Sequence, residues 1–338
     1  MTVLYSKHFI NNPDTMTDEM LEGVAMVLED YIDVKGHVVM RKGLLDDPNP
    51  TVTVMTLGGS GHEPSSLGFS GVGWEHLKVL GDVFAAPGPD AVLEGIRLAD
   101  RGKGVFFYVG NHAGDVMSAK MAVKMARREG IDVEMALMYD DCSAFSRQEK
   151  EQRRNLCCAP TLGKMLGAAA AAGYTTADMK VLTEKYMDNV ASLAVATRGA
   201  THPATGLPIS VIPDGQMVIG MGHHGEGAQG GIPMATAKET VALMAQRIVD
   251  DIGLADGDDV LVTINGSGST TYMELMILYK DTVAFLAERG IHVHGKIVGE
   301  YITTQEQAGF IMSMVRVDDE MKHLFDAPCH TAFVTKGI

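Results

Sequence analysis

Three apolar runs in the first half of the chain each stop at a cluster of glycine or acidic residues, and this rhythm constrains the fold more than any other feature. Residues 51–57 run into Gly58-Gly59-Ser60-Gly61-His62-Glu63-Pro64, residues 104–109 into Gly110-Asn111-His112-Ala113-Gly114-Asp115, and residues 133–139 into Asp140-Asp141. Short apolar runs rich in β-branched and aromatic residues, bounded by turn formers, read as buried strands. Residues 116–128 have a different period, with Met117, Met121, Val123 and Met125 set among Lys120, Lys124 and Arg127, as on an amphipathic helix. Strands alternating with helices predict layered α/β structure. Open sheets of that kind bind ligands at the carboxyl ends of their strands, which is where His62 and Asp115 fall.

The second half repeats the alternation. A helical region over 149–189 precedes strands at 193–197, 259–264, 297–301 and 310–317, with helices at 232–252 and 272–289. Pro203, Gly206, Pro208, Pro213 and Gly215 punctuate the turns between them. A chain of 338 residues suits two domains of ordinary size. The predicted fold is α/β, with two α/β domains, each a mixed sheet flanked by helices. Residues 1–190 carry the His62 segment, and residues 191–338 carry a second histidine cluster.

Charge and hydropathy narrow the function classes. A formal net charge of −15 opposes nucleic acid or an anionic membrane surface as partner. No stretch reaches the roughly 20 apolar residues that span a bilayer. Residues 1–8 lack the basic-then-apolar pattern of a secretory signal. Cys142, Cys157, Cys158 and Cys329 form no CxxC pair and read as buried thiols of a reducing compartment, the cytoplasm. These observations point to a small-molecule substrate.

The second cluster is Met221-Gly222-His223-His224-Gly225-Glu226-Gly227. Glycines let a ligand approach the backbone, and a neutral imidazole held among them is a nucleophile or general base near pH 7. In the upstream segment Gly59, Ser60 and Gly61 offer N–H groups and a hydroxyl to a hydroxylated or anionic ligand. A metal site drawn from His62, Glu63, His112, Asp115, His223 and His224 is disfavoured, because adjacent histidines cannot readily face one ion and no HxxxH helix is present. Ser60 lacks the nucleophile elbow of a serine hydrolase. No phosphate loop ending in Gly-Lys-Ser/Thr occurs, so a nucleotide would have to come from another chain. Asn265-Gly266-Ser267-Gly268-Ser269 imitates the first glycine segment without a histidine and reads as structural or as domain packing.

These segments resemble those of the dihydroxyacetone-binding subunit of dihydroxyacetone kinases. The resemblance extends to Phe9-Ile10-Asn11-Asn12-Pro13, Val83-Phe84-Ala85-Ala86-Pro87, Arg153-Arg154, Gly299-Glu300-Tyr301, Val317-Asp318-Asp319-Glu320 and Asp326-Ala327-Pro328-Cys329-His330-Thr331, essentially the whole chain. It implies that His224 holds the substrate ketone covalently as a hemiaminal through Nε2, with Glu226 fixing the tautomer from the other ring nitrogen. It further implies that His62 is the general base for the hydroxyl that attacks phosphorus, and that Asp115 holds the substrate hydroxyls and assists. Gly59, Ser60 and Gly61 would line the same pocket. No cofactor or metal is expected on this chain. ADP or ATP with Mg belongs to a helical nucleotide-binding partner subunit, and the substrate subunit is expected to form a homodimer. Three positions depart from the family pattern: Gly110 replaces a common lysine, His112 a common tyrosine, and Gly227 a usual proline whose loss is expected to loosen the loop. A roomier pocket would admit a longer ketose such as erythrulose or a branched oxo-sugar acid. The rival readings are a non-catalytic ketose sensor and, more distantly, an isomerase or aldolase-like enzyme.

Overall fold

In the computed structural model, which describes residues 8–65, 67–227 and 230–337, two mixed six-stranded sheets are each flanked by helices. The first seven residues, on which the signal-peptide reading rests, lie outside the described residues. After helix α1 (Met16–Val27), the first sheet is built from β1 (Ile32–Lys35), β2 (Val38–Arg41), β3 (Thr53–Ser60), β4 (Leu77–Val83), β5 (Val105–Gly110) and β6 (Val133–Met138). Its order is β1-β2-β4-β3-β5-β6, with β4, β3, β5 and β6 parallel and the β1–β2 hairpin added antiparallel. Helices α2 (Pro89–Ala99) and α3 (Ala113–Arg128) provide the crossovers.

Burial on both faces explains the uninterrupted apolar run of β5. Val105, Phe107 and Val109 pack with Val92, Ile96, Ala119 and Ala122 of α2 and α3. Phe106 and Tyr108 point the other way, into a cluster with Leu162, Met165 and Met179 of α4 (Ala159–Ala171) and α5 (Thr176–Met187). Fully burying a side chain such as Phe106 or Phe107 contributes roughly 1.5–3 kcal/mol, so the central strand anchors the site that grows from its end. Gly167 lets α4 seat on the chain at Trp74: a Cβ there would lie 2.2 Å from the Trp74 carbonyl oxygen.

The second sheet uses β7 (Val190–Arg198), β8 (Gln216–Ile219), β9 (Ile232–Pro233), β10 (Asp259–Gly266), β11 (His292–Gly299) and β12 (Ala308–Arg316). The order is β11-β10-β12-β7-β8-β9, parallel between β10 and β11 and antiparallel elsewhere. Its outer face is covered by α6 (Ala237–Ile252) and α7 (Tyr272–Ala287) through Met244, Ile248, Leu275 and Leu286. Leu261 and Val315 on its other face join the cluster of α4 and α5, so one apolar core links both sheets. Helix α8 (Asp319–Asp326) returns to α4 and adds Met321, Leu324 and Phe325 to that core. A short β13–β14 hairpin (Cys329–His330, Thr335–Lys336) ends the described chain.

Several elements differ from the sequence reading. The helix expected over 232–252 begins at Ala237, because Thr236 and Glu239 form a reciprocal capping box and Ile232–Pro233 pair with β8 instead. The helical region over 149–189 is broken: a 3₁₀ turn (Arg147–Gln152) precedes α4, and Gly173 in the left-handed region separates α4 from α5. Strand β3 continues through Gly58, Gly59 and Ser60, which therefore belong to the sheet rather than to a loop. No helix among the described residues is long and apolar enough to cross a membrane.

Candidate active site

A cavity of about 380 Å³ opens where β3 and β5 end and where residues 222–226 and 302 approach from the second sheet. His62, His112, Asp115, His223, His224 and Glu226 all line it, so the two distant glycine-flanked histidine segments meet at one cavity. His62 leaves the end of β3 and its Nδ1 lies 2.6 Å from the Thr303 carbonyl oxygen. Facing a carbonyl, Nδ1 must carry the proton, which leaves the Nε2 lone pair free as an acceptor. The Thr303 hydroxyl donates in turn to the Glu63 carbonyl at 2.6 Å. Asn265 accepts from the amides of Tyr301 and Ile302 at 3.0 and 2.8 Å and so braces the segment leading to Thr303. The 265–269 segment is thus a structural support for His62.

His62 Nε2 is 3.0 Å from His224 Nε2. Since the former has only a lone pair to offer, the shared proton is carried by His224. Burial pushes the His62 ring well below the usual histidine range, and the neighbouring His223 and His224 add to the shift, while the bond to Thr303 opposes it. His62 is therefore a neutral imidazole at physiological pH. Phe84, itself at φ 57°, sets its ring tilted at 5.3 Å from His62 and edge-on at 5.0 Å from His224 and walls this pair.

Glu226 accepts the His224 backbone N–H at 2.8 Å, and its carboxylate lies 3.5 Å from His224 Nδ1. Burial works to raise this carboxyl, but its contacts with the His224 ring and amide prevail and hold it well below the usual carboxylate range. Arg154 ties the whole loop down. Its guanidinium donates to the carbonyls of Glu226 at 2.7 Å and Gly220 at 2.8 Å, and to the buried Asp141 carboxylate at 2.5 Å. Gly227 takes φ +71°, which proline cannot adopt, and a Cβ there would sit 3.0 Å from Arg154 Nη1. Glycine at this position lets the arginine close on the loop, so the loosening expected from the absent proline is offset by that clamp.

Asp115 stands in the first turn of α3, with His112 as the residue that caps the helix. Burial raises the Asp115 carboxyl to about 6, against the opposing pull of Lys78 and His224. Burial also lowers the His112 ring, while Glu226 partly restores it. Gly110 ends β5 at the cavity wall, where a Cβ would come within 3.1 Å of Asn155 Oδ1. His223 turns aside: its Nε2 donates to the Leu156 carbonyl at 3.1 Å, and burial lowers its ring to about 4.

Two candidates are not brought into the cavity. The Ser60 hydroxyl donates to the Gly81 carbonyl of β4 at 2.8 Å and is buried in the sheet, and the Gly61 amide donates to the Glu63 carboxylate. Both groups are consumed internally because β3 runs on through Ser60, so of the three only Gly59 lines the site. Conversely, Glu75, Lys78 and Tyr108 line the cavity and were not singled out from the sequence. Among the described residues, no group of three or more His, Cys, Asp or Glu is arranged to hold a metal ion.

Residues 22–333 match the model of the Dak1 domain family. The chain is 33% identical over 330 residues to the dihydroxyacetone-binding subunit DhaK of the PTS-dependent dihydroxyacetone kinase 2 of Listeria innocua, covering 97% of this chain and 98% of that one. It is 31% identical to the L-erythrulose kinase of Pectobacterium atrosepticum, covering 98% of this chain and 56% of the relative. Among solved structures, the dihydroxyacetone kinase of C. freundii superposes with a TM-score of 0.86 at 26% identity, over 98% of this chain and 60% of that one. A dihydroxyacetone kinase operon co-activator, DhaQ, superposes with a TM-score of 0.87 at 25% identity, over 94% of this chain and 98% of that one.

Proposed function

Since the chain belongs to the Dak1 domain family, we propose that it is the substrate-binding subunit of a dihydroxyacetone kinase, a phosphotransferase acting on the alcohol group of a short ketose. It binds the ketone covalently at His224 and presents a hydroxyl to a nucleotide-bearing partner subunit. The observation that carries this reading is the facing pair of ring nitrogens, His62 Nε2 and His224 Nε2, 3.0 Å apart in a cavity that Asp115 also lines.

The chemistry follows from the hydrogen bonds. His62 Nε2 takes the proton from His224 Nε2, which bares that nitrogen's lone pair. The lone pair attacks the ketone carbon, the carbonyl π electrons move to oxygen, and His62 returns the proton to that oxygen to complete the hemiaminal hydroxyl. Glu226, which accepts the His224 backbone N–H, holds the loop so that this ring keeps its place during the exchange. His62 emerges neutral and serves again as base for the hydroxyl that attacks phosphorus, with Asp115 orienting it. A hemiaminal requires a carbonyl, so the site selects ketoses over polyols such as glycerol. The nucleotide, ADP or ATP with Mg, is held by the partner, and the transferred phosphoryl group comes from ATP, bound as such or regenerated there from ADP.

Exposed Met117 and Met121 on α3, beyond Asp115, support an apolar docking face for that partner, and exposed Tyr272, Met273 and Ile277 on α7 support a homodimer. Four buried free cysteines support a cytoplasmic setting.

The test is phosphorylation of dihydroxyacetone by this subunit mixed with its nucleotide-bearing partner. The reading predicts a triose phosphate, lost in Asp115→Asn. Ketose binding without phosphoryl transfer would instead favour a sensor, the role suggested by the structural likeness to a co-activator.

A further inference from the structure

The buried end of the cavity carries polar groups that the reaction above leaves unused. Glu75, only 4% exposed, and the fully buried Tyr108 line it together with Lys78, Phe69 and Met138. The Tyr108 hydroxyl donates to the Glu75 carboxylate. Lys78 enters from β4, in register with Thr56 of β3, and its stem passes Gly58, where a Cβ would lie 3.8 Å from Lys78 Cε. Glu75, Glu63 and Asp115 surround the Lys78 ammonium at longer range, and no hydrogen bond to a described residue ties it.

A buried carboxylate with one partner, Tyr108, and a half-buried lysine with none among the described residues both gain from a ligand that bonds them. Lys78 only donates and Glu75, when ionised, only accepts, so the pair matches hydroxyl groups, which do both. A carboxylate tail would gain Lys78 but meet Glu75 and Asp115, and an apolar tail would leave Lys78 without a partner and Glu75 with Tyr108 alone. Dihydroxyacetone has one hydroxyl on each side of its carbonyl. One is taken for phosphorylation, which leaves a single hydroxyl, whereas a ketose of four carbons brings two tail hydroxyls, one for each group. A cavity of about 380 Å³ also lies within the range that buries ligands larger than a triose.

We infer that Glu75, Lys78 and Tyr108 form a distal subsite that recognises the hydroxylated tail of a neutral ketose of four or more carbons. The inference rests on His224 as the carbonyl anchor. It is tested by calorimetric titration of the full chain with dihydroxyacetone, erythrulose, 1-hydroxybutan-2-one (four carbons, no tail hydroxyls) and hydroxypyruvate. Wild type is expected to bind erythrulose about tenfold or more tightly than each of the other three, the discrimination a site built around hydroxyls supports. Lys78→Met should bring the erythrulose to dihydroxyacetone ratio within about twofold, and Glu75→Gln, which preserves shape, should reduce it.

A wild-type ratio near one, tighter binding of hydroxypyruvate, or an equal loss for both ketoses in Lys78→Met would overturn the subsite. If Lys78→Met fails to fold, an unchanged ratio in Glu75→Gln does so alone. Failure of every ketose to bind would remove the reading of His224 itself. Dihydroxyacetone binding without the erythrulose preference removes only the subsite.

Discussion

Replacing Arg154 with methionine should loosen the His224 loop and destabilise the protein together. The guanidinium bonds two carbonyls of the loop, Gly220 and Glu226, and the Asp141 carboxylate, whose side chain is 2% exposed. Hydrogen bonds to charged groups contribute about 1.5–3 kcal/mol each, and leaving one partner of a buried ion pair alone costs about 3–5 kcal/mol. The two figures describe overlapping contacts, so the expected loss is about 4 kcal/mol rather than their sum. Asp141→Asn in the same background removes the orphaned charge. The double variant should recover part of the loss, with a coupling of about 2 kcal/mol. Burial already pushes the Asp141 carboxyl up with Arg154 present. Without Arg154 it rises further, so the variant's deficit should shrink on acidification, when a protonated Asp141 needs no counter-ion. Urea unfolding at pH 7 and pH 5 measures this, and the mass of the ketose adduct reports the loop. A deficit below about 1 kcal/mol at pH 7, with adduct formation intact, would refute the clamp.

Two further outcomes follow from the same geometry. His62→Gln should lower phosphoryl-transfer kcat by about 10²–10⁴-fold while dihydroxyacetone still reaches its adduct at equilibrium, and an equal loss of binding would contradict the role as base. Asp115 has a folded pKa of about 6 against 3.8 when free, so the folded state binds the extra proton between those values and stability falls as pH rises across that window. Asp115→Asn should therefore be more stable than wild type at pH 7 and lose that advantage near pH 4, as denaturant midpoints at the two pH values would show.

Much of the site was legible because its chemistry is carried by side chains on glycine-flanked turns. His62, Asp115 and His224 stand out in sequence for that reason, and the structure brings them to one cavity. Ser60 and Gly61 misled because sheet pairing outweighed their glycine-rich look: once β3 extends to Ser60, its hydroxyl belongs to the Gly81 carbonyl. Thr303 could not be found, since it acts through a backbone carbonyl, which has no sequence signature. Glu75 and Lys78 lie in a mixed polar and apolar stretch that reads as surface. Glu75 becomes buried, and Lys78 half-buried, only when β4 docks beside β3 and α4 covers Trp74. The strand and helix alternation was readable in part: α7 was placed at its observed start, Tyr272, whereas the start of α6 was set by the Thr236 capping box, which a hydrophobic pattern does not locate, and α1, β1, β2, β4 and α2 were not read.

The central claim is a covalent bond between His224 Nε2 and a ketone carbon. A crystal structure of the protein soaked with dihydroxyacetone tests it directly. The account predicts continuous density from that nitrogen to the former carbonyl carbon, with the His62 ring displaced from its 3.0 Å contact and still bonded through Nδ1 to Thr303. Dihydroxyacetone resting in the cavity at van der Waals distance from an unmodified His224 would contradict it.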